Sequence, residues 1–253
     1  MARVRCHAAA EKDTTMRDGS DRYDERAGLL DMSLALLSFA SGITDATAFL
    51  KLGTVFTSAM TGNTVLLGIA LGQGRFVQAT RAFDAFSSFL LGAALAAVLC
   101  RGRAHKDGIP PGLVPAFVLE LLCLVGFVAV WMLVGIEGDK ISYVLITLSA
   151  LAMGIQGIAA RHINAPGIST IVFTSTMLNI VMSLTHGFLR REPVPFTAKR
   201  QIGILFVYGI GAVLTGGLIA ADISVYVWLP LLAVAGAGAS YEMSRLQLRR
   251  RRR

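Results

Sequence analysis

Apolar residues run along this chain in stretches of about 17 to 24, broken by short polar or glycine- and proline-rich connections. Eight segments can be marked, at about 29–50, 55–72, 82–100, 112–135, 141–160, 168–187, 201–221 and 223–242. A helix needs about 20 predominantly apolar residues to cross roughly 30 Å of hydrocarbon. The pattern therefore predicts an all-α integral membrane protein with about eight apolar segments, six to eight of them spans. Short alternating strands, the mark of a membrane barrel, are not seen. Residues 1–27 are polar and mixed in charge, with no apolar signal core, and predict a disordered cytoplasmic leader. Residues 28–242 form the polytopic membrane domain, and 243–253 a basic cytoplasmic tail.

The order of features repeats, which predicts two repeated halves at about 29–135 and 141–242. The first half carries "SGITDATAFL" and then "VFTSAMTGNTVLLGIALGQG"; the second carries "MGIQGIAARH" and then "ISTIVFTSTMLNIVMSLTHG". Ungapped, Thr57 falls on Thr170, Thr61 on Thr174, Asn63 on Thr176 and Gly74 on Gly187. With one residue of slip, Gly42 falls on Gly154 and Asp45 on Gly157, and later "LLGAALAAVL" resembles "GIGAVLTGGL". Internal repeats are a usual construction for transporters, although duplicated membrane proteins that move nothing also exist.

"GITDATAFL…GTVFTSAMTGNTVLLGIALGQG" resembles the YoaK family of bacterial multi-pass membrane proteins, a domain-of-unknown-function group, over about residues 30–242. The resemblance implies a polytopic bacterial inner-membrane protein and carries no settled activity. Where that family tends to show Gln-Asn and then Thr-Gly-Thr in its second half, this chain reads Gln156-Gly157 and Thr174-Ser175-Thr176. That departure weighs against two equivalent sites.

Composition narrows the picture further. The chain is 54% hydrophobic and 16% charged, too apolar for a soluble domain of 253 residues, and its net charge is +8. Its basic residues cluster at the ends and between apolar runs, as with Arg249 to Arg253, where they orient the chain and meet anionic headgroups. Lipid rather than nucleic acid is the expected partner. With eight crossings, 19 of the 24 Lys and Arg fall on the cytoplasmic side. If the two Thr-rich segments dip in and return, 20 do. Both arrangements put both termini in the cytoplasm. Length favours eight crossings, because 18 residues rise about 27 Å.

Candidate chemistry centres on Thr61-Gly62-Asn63-Thr64, a polar, poorly helix-forming knot inside an uncharged apolar run. On an ideal helix Thr57, Thr61, Thr64 and Gly68 share a narrow face, and Asn63 lies almost opposite. Hydroxyl and small residues commonly pack membrane helices together. A buried amide needs partners, however, and Gly62 weakens the helix, so an opened helix at Gly62-Asn63 is the alternative. Asp45 and Thr61 fall at similar depths, about 8 and 9 Å from one membrane face. Asp45 is either a functional intramembrane acid or an interfacial carboxylate satisfied by Thr44 or Lys51. Glu120 would titrate in a pathway or pair with an Arg of the 101–106 loop. Gln156 and Thr174 supply second-half polar groups, and Arg161 and His162 would add positive charge to the same outer mouth. Asp31, Asp84, Asp139 and Asp222 sit near segment ends and are expected to be solvated.

Cys6, Cys100 and Cys123 are scattered, and the four His show no metal-ligand spacing. No catalytic constellation, phosphate loop or cofactor motif is found, so no catalytic residue, metal or cofactor is expected and an enzyme is the least supported class. Two readings stand. In the first the protein transports a small solute or ion, with Asp45, Thr57, Thr61, Gly62, Asn63, Thr64, Gln156, Thr174 and Glu120 as binding candidates. In the second it is a non-transporting scaffold whose faces "GAALAA" and "GIGAVLTGG" pack helices within the chain or against a second copy in a homo-oligomer.

Overall fold

The computed structural model describes residues 28–101, 113–136, 138–163, 173–191 and 193–250. The expected leader lies outside them. The described chain is helical: α1 Gly28–Lys51, α2 Met60–Gly72, α3 Phe76–Leu99, α4 Leu113–Val134, α5 Asp139–Ile163, α6 Phe173–Arg190, α7 Phe196–Ala220 and α8 Leu229–Arg250, with a 3-10 turn at Ser224–Val227. Five of these, α1, α3, α4, α5 and α7, are long and apolar enough to cross a membrane. Helices α6 and α8 reach 18 and 22 residues with more polar sequences. Helix α2 has only 13 residues, about 20 Å, too short to span alone.

Two parallel pairs cross at glycines. In the first, α1 lies along α7: Asp31 pairs with Arg200, and the Ser38 hydroxyl donates to the Ile204 carbonyl at 2.9 Å. A Cβ on Gly42 would run into the main-chain oxygen of Tyr208 and crowd the nitrogen of Ala212, while one on Gly211 would meet the main chain of Phe39 and Ile43. In the second, α5 lies along α3: Arg81 pairs with Asp139 at 2.6 Å, and Thr147 donates to Asp84 at 3.0 Å. There Gly154 faces the oxygen of Phe89 and the nitrogen of Ala93, and Gly92 faces the main chain of Leu151. Only a residue without a side chain lets two helix backbones approach this closely. Three of the acids expected to be merely solvated thus hold helices together, because their partners come from distant parts of the chain.

Helices α1 and α5 form the centre. They are 67% and 61% buried over their most apolar windows, against 28%, 28% and 17% for α3, α4 and α7. They run antiparallel, with Thr44 at Met153 and Ser41 at Gln156. Helices α4 and α8 pack beside them, also antiparallel to each other, with Phe117 on Tyr241 of α8 and Trp131 on Tyr226 of the 3-10 turn that leads into it. It follows that α1, α4 and α7 run one way through the bundle and α3, α5 and α8 the other.

The apolar segment 55–72 does not form one spanning helix. After Lys51 the chain turns through Gly53 (φ +102°) and Thr54 (φ +59°), runs non-helically to Ala59 and starts α2 at Met60. Helix α2 then returns to the end of the bundle where α1 finished. There Gly53 and Thr54 line a cleft with Ile69, Ala70 and Arg75, and the Arg81 side chain covers Gly53. Length alone favoured a full crossing here. The break in the helix, which leaves residues 55–59 non-helical, shortens the segment's helical rise below that length.

Candidate functional site

The return of α2 is built around Asp45, buried on α1. One carboxylate oxygen accepts the main-chain N–H groups of Thr57 (2.6 Å) and Ser58 (2.7 Å) and the Thr57 hydroxyl (3.0 Å). The other accepts the Ser58 hydroxyl at 2.6 Å and the Tyr208 hydroxyl of α7 at 2.8 Å. Five donors from two elements therefore converge on one carboxylate. Non-helical backbone in an apolar interior must find partners for its N–H and C=O groups, and Asp45 supplies the acceptor for the N–H groups of two consecutive residues.

Asn63 supplies them for a third. Its side-chain oxygen accepts the Phe56 N–H at 2.8 Å, and its amide nitrogen donates to the Phe56 carbonyl at 2.6 Å. One amide side chain thus closes both polar groups of one residue, as a neighbouring strand would. The Phe56 ring lies over α2, where a Cβ on Gly62 would stand 3.0 Å from it, and stacks on Phe49 at 5.2 Å. Gly62 therefore makes room for Phe56, and the helix opens before Met60 rather than at Gly62-Asn63. The polar knot is what fastens an unwound entry to α2.

The candidate residues separate into three places. Asp45, Thr57, Gly62 and Asn63 belong to the anchor just described. Thr61 and Thr64 point away from it and are exposed, as is Thr174 on α6. Thr64 only returns its hydroxyl to the Met60 carbonyl at 3.0 Å. The residues that bond Asp45 are Thr57 and Ser58, and Thr61 is not among them. Neither Thr44 nor Lys51 satisfies Asp45; Thr44 bonds carbonyls of its own helix. Arg161 and His162, at the end of α5, stand at the opposite end of the bundle from the α1–α2 turn, because α5 runs against α1.

Glu120 and Gln156 take no part in the anchor's hydrogen bonds, and both are wholly buried. Gln156 donates to the Leu37 carbonyl at 2.9 Å and the Ser41 hydroxyl at 2.7 Å. Its own oxygen, and both oxygens of Glu120, have no hydrogen-bond partner. Of the 101–106 loop only Arg101 is described, and it makes no bond to Glu120; the rest of that expected pairing lies outside the described residues. Sequence reasoning missed Ser58, which lay inside the conspicuous polar stretch, and Tyr208, an aromatic in an apolar helix with no local sign of its role.

This architecture agrees with what the chain is similar to. Residues 33–240 match the family described as "Protein of unknown function (DUF1275)". The chain belongs to the DUF1275 family. It is also 30% identical over 207 residues to the UPF0700 transmembrane protein YoaK of Bacillus subtilis (strain 168), covering 80% of this chain and 90% of that protein. No solved structure matches it. This DUF1275 chain is accordingly a multi-pass transmembrane protein, and the family description assigns it no activity.

Proposed function

We propose that the protein is a transporter of a small solute or ion, built from two inverted halves. The observation that carries this reading is the break before α2. An unwound segment enters the bundle and is held there by a buried carboxylate, the kind of discontinuous element that lines substrate sites in transporters.

Support for the halves comes from the two glycine crossings. Shifting α1 by 112 residues carries Gly42 onto Gly154 and Phe39 onto Leu151. Shifting α7 back by 119 carries Tyr208, Gly211 and Ala212 onto Phe89, Gly92 and Ala93, and Arg200 onto Arg81. Gly42 and Gly154 meet the same main-chain atoms of the facing helix, and Gly211 and Gly92 each meet a facing carbonyl oxygen, with the first helix of each half packed on the third helix of the other. Six helices, α1, α3, α4, α5, α7 and α8, then make the crossings, and α2 and α6 leave and return on opposite faces. Three crossings per half is an odd number, so the second half is inverted. This arrangement keeps 20 of 24 Lys and Arg on the side of both termini, the cytoplasmic side of a bacterial inner membrane.

The test compares ion and small-solute contents of a deletion strain carrying the wild-type gene, Asp45→Asn, or nothing. Transport requires a solute whose level the wild type restores and a folded Asp45→Asn protein does not. No difference between the strains across inorganic ions and small metabolites overturns the reading. A scaffold is the second reading. It is favoured by α7, where Gly203, Gly209, Gly216 and Gly217 have no neighbour and leave a face open to a second copy.

A further inference from the structure

Asp45 is saturated with donors, and Glu120 has none. Glu120 lies on α4 one turn from both Phe117 and Leu124, residues of a core to which α1, α5 and α8 also contribute. The α4–α5 register is fixed where Gly126 meets Leu148. Six residues back along α4 and six forward along antiparallel α5 bring Glu120 level with Gly154, about half a turn from Gln156. The Leu37 carbonyl, which takes the Gln156 amide hydrogen, belongs to the same core. Three oxygens without a donor, two of Glu120 and one of Gln156, therefore share one level of the bundle interior. Among the described residues no Lys, Arg or His bonds to either side chain. The titratable groups around Glu120 are Cys123 on its own helix and Tyr241 on α8, whose ring packs on Phe117; α1 brings Asp45 within two residues of this level, its carboxylate engaged by Thr57, Ser58 and Tyr208, and α5 brings none.

An isolated carboxylate in such surroundings is too costly to persist, and an acid retained there is a functional group by default. Gln156 adds a polar oxygen with no other use. We propose that Glu120, with the free oxygen of Gln156, binds one monovalent cation, either a proton or an alkali-metal ion. This deepens the transport reading by naming the coupled species, and it is tested by binding rather than flux, so either idea can fail alone.

The experiment is infrared difference spectroscopy of the purified full chain in lipid, wild type minus Glu120→Gln. Spectra are taken across pH 5 to 9 in choline chloride and then in sodium or potassium chloride. A neutral carboxylic-acid band assigned to Glu120 supports the proton. Carboxylate bands that shift when sodium or potassium replaces choline support the alkali ion. Gln156→Leu should weaken whichever ion binds by about tenfold, the value of one hydrogen bond to a charged group. Carboxylate bands indifferent to pH and to both alkali ions overturn the proposal. If Glu120→Gln does not fold, wild-type protein is treated with a hydrophobic carbodiimide, which attacks neutral buried carboxyls, and Glu120 is read by peptide mass. Labelling, or its suppression by alkali chloride, supports the site. No labelling under any of these conditions overturns it.

Discussion

The α1–α7 and α5–α3 crossings use glycine in the same way and differ where α1 carries Asp45. At the first crossing Asp45 reaches Tyr208 and the unwound chain at Thr57 and Ser58. At the second, the residues three after Gly154 and three before Gly92 are Gly157 and Phe89, neither of which can make that bond. Close backbone approach is thus common to both crossings, and the anchored break belongs to one. The glycines are structural, and the carboxylate with its donors is an addition to that structure.

The largest expected effect comes from removing the addition. Asp45→Ala leaves the N–H groups of Thr57 and Ser58 buried without acceptors, at about 1–3 kcal/mol each. It should destabilise the protein by about 3–5 kcal/mol, read by thermal or denaturant unfolding in detergent. Glu120→Gln, at a buried acid that holds no donor in place, should leave stability unchanged or raised. Equal losses from both would erase the distinction between an anchor and an unpartnered acid.

Asn63→Leu comes next. It strands the N–H and C=O of Phe56 and should cost about 2–3 kcal/mol by the same measurement. A harmless Asn63→Leu would mean that Phe56 finds other partners and that the knot is packing alone. The shared part of the comparison is tested by Gly42→Ala and Gly154→Ala. Each forces a methyl into a facing backbone, should cost about 1–3 kcal/mol, and should cost nearly the same in both crossings. A large inequality would argue against equivalent crossings.

The apolar segments and their connections were legible because membrane crossing writes itself into composition over a whole helix. The similar sequence around Gly42 and Gly154 was legible as well, but not that each meets the backbone of a facing helix. The start of α2 was not. Periodicity placed Thr57 and Thr61 on one helical face, but Asp45, from another helix, takes the N–H groups of Thr57 and Ser58 and holds that stretch unwound. Tyr208 was equally hidden, since its meaning depends on a carboxylate 163 positions earlier in the chain. Sequence shows which buried groups need partners, and only the fold shows who provides them.

The smallest expected effect concerns the threonines that first drew notice. Thr61 and Thr64 lie one and four residues into α2, within a turn of the anchor, yet both face outward. Thr61 takes part in none of the bonds to Asp45 or Phe56, and Thr64 bonds only its own helix. Valine has nearly the same shape, and the lost hydroxyl exposes no other polar group. Thr61→Val and Thr64→Val should therefore each change unfolding stability by less than about 0.5 kcal/mol, whereas Thr57→Val, which removes a hydroxyl from Asp45, should cost about 1.5 kcal/mol or more. A Thr61→Val loss as large as that of Thr57→Val would show that the outward face of α2 is covered, by a bound solute or by a second copy of the chain. The anchor would then be one side of a larger site rather than a closed structural device.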